Sequence, residues 1–328
     1  MTSQIQSEPE KKTGFLVSVI LVFLCSMIWG LAPVFWKQLT TRIPDSWYTC
    51  CTRAVFSCVW SFLIVLVTRK FDEVKKLFKS KRDIFIIAVG GFMTTANWAF
   101  YILAVATDRI TDASLAYFIG PLFFVVTGLF FFKEKPTVAQ WIAVGIATVG
   151  VVVAVIAGGD FPILAIVIAI SYIIYSSVMK LVNASPAVLL FLETLMVLPF
   201  TLGYIIFDEV KGRGALANLE GIEFVMLPCA GLISLIPLLL LARGIKGIHY
   251  SLSGMIGYVN PTLQMIVAVF IYNEVVENTD LITYIFVWVA VVIFVVDSFI
   301  QNHKHQKKLQ SEQISNQQET LGENENEH

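Results

Sequence analysis

Ten apolar runs succeed one another along the chain, near 14–36, 46–68, 83–106, 111–132, 137–157, 161–181, 186–207, 222–242, 249–272 and 280–301. Each is about twenty residues long, the length of a helix that crosses a bilayer and satisfies its own backbone there. Composition agrees: 57% of the residues are hydrophobic and 14% charged, where a soluble domain is nearer a quarter charged. Mean hydropathy is +0.76. The chain is therefore expected to be an all-α integral membrane protein with the lipid bilayer as its surroundings. A net charge of −1, carried between the apolar runs, gives no basis for binding nucleic acid.

Two of these runs carry the same unusual pattern. Tyr117-Phe118-Ile119-Gly120-Pro121 is followed by twelve mostly apolar residues and Glu134; Gly257-Tyr258-Val259-Asn260-Pro261 is followed by twelve residues and Glu274. Proline deletes a backbone hydrogen bond and crowds the preceding turn, so an apolar helix rarely holds one by accident. Its recurrence at an offset of 140 implies a duplicated unit, of which residues 108–134 are the first copy of the central stretch. The repeat extends further. Trp29 with Lys37 matches Tyr172 with Lys180 at an offset of 143, and Arg53 matches Glu193 at 140. Runs one to five and six to ten thus form two five-helix halves, at 14–157 and 161–301. Five is odd, so the second half enters from the opposite face and the repeat is inverted, an architecture of secondary transporters.

Lysine and arginine set the expected orientation. With the N-terminus inside, seventeen fall on the cytoplasmic side, seven of them between runs two and three, and five fall on the other side. By the positive-inside rule both termini are cytoplasmic. The first run follows Lys11 and Lys12 but is too long for a removable leader, so it stays as a span. Residues 1–13 form a short polar segment. Phe71, Val74 and Phe78 share one face of the seven-cation loop, which is expected to lie flat on an anionic leaflet. Residues 302–328 are polar enough to predict a disordered cytoplasmic tail; His303 and His305 within it read as solvated side chains. Cys25, Cys50, Cys51, Cys58 and Cys229 lie in apolar runs without metal spacing and read as small buried hydrophobes, so no metal and no disulfide is expected.

Several separated motifs carry a family resemblance: Trp29-Gly30-Leu31-Ala32-Pro33 with Trp36-Lys37, Asn97-Trp98 with Tyr101, Ala113-Ser114-Leu115 with Tyr117 and Pro121-Leu122, and Pro261-Thr262-Leu263-Gln264. Together, from about residue 14 to 300, the chain resembles the EamA branch of the drug/metabolite transporter superfamily. The resemblance implies a ten-helix basket-shaped permease with both termini in the cytoplasm. It implies no particular solute, since superfamily relatives move amino acids and other small metabolites.

Candidate contacts to a solute follow from cost. A charge inside a span costs about 2.5–3.5 kcal/mol on insertion scales, so Arg53 and Glu193, roughly 10–12 Å from opposite faces, are either a zwitterion clamp or a structural ion pair. Glu193 could also carry a coupling proton. Asn97 and Tyr101 share a face with Thr94; Tyr117 and Pro121 share one with Ser114; Asn260 and Gln264 lie with Tyr258 on the second proline helix. Such polar faces must look inward, for interhelical bonding or for a wet cavity. Trp98 can stack on a solute or pack against a neighbour. Pro33, Gly120, Pro121, Gly257 and Pro261 are candidate helix breaks or gates. Glu134 and Glu274 suit helix-end caps. No phosphate-binding loop, nucleophile with a base, or acidic pair at metal spacing is present, so neither an enzyme nor a cofactor is expected. The reading is a permease for a small organic solute (amino acid, metabolite or drug-like molecule) in a bacterial inner membrane, working by alternating access. A channel or an intramembrane enzyme is the alternative.

Overall fold

The computed structural model describes residues 14–43, 45–106, 110–158, 163–215, 221–273 and 278–326. Residues 1–13, the start of the central stretch at 108–109, Glu274, and the side chains of Ala113, Ser114 and Leu115 lie outside the described residues. Among those described, every regular element is helical: α1 Phe15–Arg42, α2 Ser46–Val67, α3 Phe71–Lys79, α4 Lys81–Ala106, α5 Ile110–Phe130, α6 Val138–Gly158, α7 Ile163–Leu181, α8 Pro186–Val210, α9 Glu223–Gly244, α10 Tyr250–Gly257, α11 Val259–Tyr272 and α12 Asn278–Asn326. Nine of the described helical stretches are long and apolar enough to cross a membrane, with Ala116–Phe130 of α5 as a shorter tenth. Large apolar side chains such as Phe85, Phe130, Ile156 and Phe270 point outward, 68–82% exposed, as a lipid-facing surface requires.

The packing pattern is that of two equivalent halves. α2 packs on α8, α5 on α10 and α6 on α12, each pairing a helix with its own counterpart; α1 packs on α9 and α11 while α7 packs on α4 and α5, which is the same relation exchanged. Matched side chains meet across this pseudo-symmetric centre: the rings of Trp29 and Tyr172 are 5.5 Å apart, and the Tyr258 hydroxyl donates to the Phe118 carbonyl, 140 positions away, at 3.0 Å. Two glycines separated by the same offset let backbones touch. A Cβ on Gly91 of α4 would lie 2.3 Å from the Glu193 carbonyl oxygen of α8, and one on Gly231 of α9 would lie 2.7 Å from the carbonyl carbon of Phe56 in α2. The fold is all-α, ten membrane helices in two inverted five-helix repeats.

Three local features depart from expectation. First, the apolar face of α3 rests on protein rather than lipid: Leu77 is buried, Phe71 and Val74 pack on the core, and only Phe78 stays exposed. Glu73 holds α3 to the start of α8, accepting from the Ser185 backbone N–H and, at 2.7 Å, from its hydroxyl. Acidic Asp72 and Glu73 open α3 and Lys76 and Lys79 close it, complementing the helix dipole. Second, residues 302–326, where composition predicts disorder, continue α12. A helix already nucleated in the membrane extends without a new nucleation cost through good helix formers such as Lys, Gln and Glu. Third, α5 runs through Gly120-Pro121 without a break, whereas the ninth span is interrupted at Tyr258 and restarts with Pro261 in the first turn of α11. There the missing proline N–H would have no partner in any case.

Candidate functional site

Between the halves lies a cavity of about 470 Å³ walled by α1, α2, α4 and α5 of the first and α7, α9, α10 and α11 of the second. Of the residues singled out in the sequence, Pro33, Arg53, Asn97, Trp98, Tyr101, Tyr117, Gly120, Pro121, Gly257, Asn260 and Gln264 line it. It reaches the end where α1 finishes and α2 begins, at Trp36 and the exposed Lys37.

Arg53 is its most constrained group. The guanidinium carbon stands 3.7 Å from the centre of the Trp98 ring and 4.6 Å from that of Trp36. Its Nε donates to Ser234 Oγ at 3.1 Å, and Ser234 donates in turn to the Ala230 carbonyl at 2.9 Å. Cation–π contact of this kind is strongest where water is scarce. The amide of Asn97 ties α4 to α7, donating to the Ile168 carbonyl at 2.7 Å and to Ser171 at 3.2 Å. Gln264 donates to Asn260 Oδ1 one turn earlier at 2.8 Å. The Tyr101 and Tyr117 rings lie 6.2 Å apart on the same wall.

Three predicted residues are placed elsewhere. Glu193 is 1% exposed, both carboxylate oxygens lack a hydrogen-bond partner, and it lies under Gly90 and Gly91 of α4 rather than on the cavity wall. No ion pair joins it to Arg53 among the described residues, so the structure forms neither the zwitterion clamp nor the buried pair. The packing of α4 decides which way it faces. Tyr258 is fully buried, its hydroxyl spent on Phe118. Pro261 is buried and its carbonyl accepts from Tyr284 at 3.0 Å.

Below the cavity the chain is closed by aromatic rings. Phe124 stacks on Tyr250 at 4.5 Å, Phe132 lies 4.8 Å from the same ring, and the Tyr250 hydroxyl donates to the Ile173 carbonyl at 3.0 Å. Glu134 fastens this floor. It caps α10, accepting from the backbone N–H of Tyr250, from that of Ser251 at 3.1 Å and from the Ser251 hydroxyl at 2.6 Å. Lys180 Nζ stands 3.6 Å from it and donates to the Ile248 carbonyl at 2.9 Å; His249 Nδ1 is also 3.6 Å away. Burial alone would raise the Glu134 carboxyl, but hydrogen bonds from His249, Ser251 and Tyr250 outweigh it and hold it at about 2.

Sequence reasoning did not single out Ser234, Tyr175 or Phe124 for the site. Ser234, which holds Arg53 from behind the cavity wall, had a signal, since it stands 140 positions from the lining residue Thr94; the two aromatic residues had none beyond their place in apolar runs.

Ten membrane helices in two halves around a central cavity make this a multi-pass membrane protein. A family model described as the EamA-like transporter family matches residues 16–156. Protein RarD of Salmonella typhi is 32% identical over 292 residues, covering 87% of this chain and 97% of the relative. An uncharacterized transporter of Vibrio cholerae is 30% identical over 285 residues, covering 87% and 94%, and the uncharacterized transporter YojE of Bacillus subtilis is 31% identical over 281, covering 84% and 92%. The chain belongs to the EamA-like transporter family, with RarD proteins among its relatives. One crystal structure superposes with a TM-score of 0.66 at 16% identity, covering 86% of this chain and 98% of that one, which shows the fold alone.

Proposed function

We propose that the protein is a secondary transporter that moves a small organic solute through the central cavity by alternating access, in a bacterial plasma membrane with both termini cytoplasmic. The observation that carries this reading is the asymmetry of the cavity: it reaches an exposed rim at Lys37 and stops at the Phe124–Tyr250–Phe132 floor that Glu134 clasps. In this orientation the floor is the cytoplasmic gate, and the conformation is open to the outside. Because matched helices of the two halves wall the cavity, exchange of their roles would close the rim and open the floor.

Purified protein in proteoliposomes tests this by saturable uptake with counterflow against a panel of small organic solutes. Unsaturable flux would support a channel, and chemical turnover of a lipid-soluble compound an intramembrane enzyme. An imposed pH gradient that drives uptake would identify a proton as the coupling ion.

A further inference from the structure

We infer that the cavity selects organic anions: Arg53 receives the carboxylate of a monoanionic solute whose apolar, preferably aromatic, body lies against Trp29, Trp98 and Phe124. This rests on the carrier reading above and narrows it to a substrate class.

The geometry of Arg53 comes first. A guanidinium offers carboxylates two edges, one through Nε and one through its paired terminal amino groups. Ser234 occupies the Nε edge, and the guanidinium carbon stands over the Trp98 and Trp36 rings. Among the described residues no hydrogen bond or ion pair takes the terminal amino groups. An arginine held in this way keeps its end-on fork preorganised, so little side-chain entropy is lost when a carboxylate docks.

Charge balance comes second. Arg53 lines the cavity without an ion pair, and among the described residues no aspartate or glutamate lines it. Glu193, the only acid predicted from sequence to face Arg53, is turned away beneath α4. A cationic solute would therefore meet like charge, and the ammonium of a zwitterion would find no carboxylate. A neutral solute would offer the guanidinium at most an uncharged acceptor in place of the water it displaces, leaving the charge unbalanced in an apolar surrounding. A carboxylate supplies both the missing charge and the missing acceptors.

Size and lining come third. About 470 Å³ is within the range of small-molecule sites (~300–1,000 Å³). Most of the wall is aromatic or aliphatic, which suits one ring with a short acidic arm better than a sugar or a polyanion.

The test uses wild-type protein in nanodiscs, titrated calorimetrically with 3-phenylpropionate, indole-3-acetate, 3-phenylpropanamide, 3-phenylpropylammonium and phenylalanine, with counterflow of the same compounds in proteoliposomes. The carboxylates should bind roughly ten- to a hundredfold more tightly than the amide, the span expected for a charge-assisted pair. Arg53→Gln should abolish that difference and Arg53→Lys should keep part of it, with thermal unfolding as the check on folding. Should Arg53→Gln not fold, Ser234→Ala takes its place; it frees Nε while keeping the charge, and should weaken the carboxylates several-fold without affecting the amide. Equal or tighter binding of the amide, amine or phenylalanine overturns the inference, as does a carboxylate preference that survives Arg53→Gln, or no binding by any of the five compounds. Arg53-dependent carboxylate binding without counterflow would leave the anion site standing and refute the carrier. Counterflow of the neutral or cationic compounds would do the reverse.

Discussion

Replacing Glu134 with alanine should open the floor of the cavity. The substitution removes acceptors for the Tyr250 and Ser251 backbone N–H groups and the Ser251 hydroxyl, and the 3.6 Å pair to Lys180. A hydrogen bond to a charged group contributes ~1.5–3 kcal/mol and a helix N-cap ~0.5–2 kcal/mol. The three bonds share one carboxylate and do not add, and water reaches a helix end at the membrane face, so the net loss is ~2–4 kcal/mol. The same bonds depress the carboxyl from 4.5 to about 2, which at ~1.4 kcal/mol per pH unit is ~3.5 kcal/mol, and its side chain is only 8% exposed, so little is lost to solvent screening. Since the partners sit on α7 and α10, this energy favours the closed floor, and its loss should shift the closed-to-open ratio roughly thirty- to several-hundredfold. Hydrogen-exchange mass spectrometry over residues 248–253, in nanodiscs, reads that ratio. If exchange there and the unfolding temperature both match wild type, the capping carboxylate does not hold the floor shut.

The same group predicts an acid response. A carboxyl whose folded value is depressed contributes stability that is complete above its unfolded value of 4.5 and lost as pH falls toward about 2; protection of residues 248–253, corrected for intrinsic exchange, should fall across that window in wild type and stay flat in Glu134→Ala. Gly91→Ala or Gly231→Ala forces a methyl into the facing backbone and should lower stability by ~1–3 kcal/mol; Gly203→Ala, with nothing within 4 Å of the new carbon, should not, and thermal unfolding of the three variants decides it. Glu193→Gln should leave the KM of a transported solute within about twofold of wild type, because the side chain lies outside the cavity; a tenfold rise in counterflow KM would return Glu193 to the pathway.

How far the sequence carried the structure depended on which coordinate a residue type reports. Span number follows from apolar runs of bilayer length, so the ten membrane helices were legible. Azimuth does not follow: Arg53 turns to the cavity and Glu193 away from it because Gly90 and Gly91 bring α4 down over the latter, a tertiary fact. The two proline motifs look alike, yet the regular helix lapses for one residue, Tyr258, in the second alone. Composition also misjudged residues 302–326, because it scores the ability to bury apolar surface and not the ease of lengthening a helix already started.

Each proline helix carries one weak point in its backbone ladder, at nearly matched places. At Tyr258 the regular helix lapses for one residue while the backbone stays right-handed, φ −63° and ψ −14°; within α5, Pro121 brings no N–H to the ladder. Gly120, Pro121 and Gly257 all line the cavity, so duplication of the motif has set a softened stretch of backbone on both of its sides, where a bundle of continuous helices would offer only rigid walls.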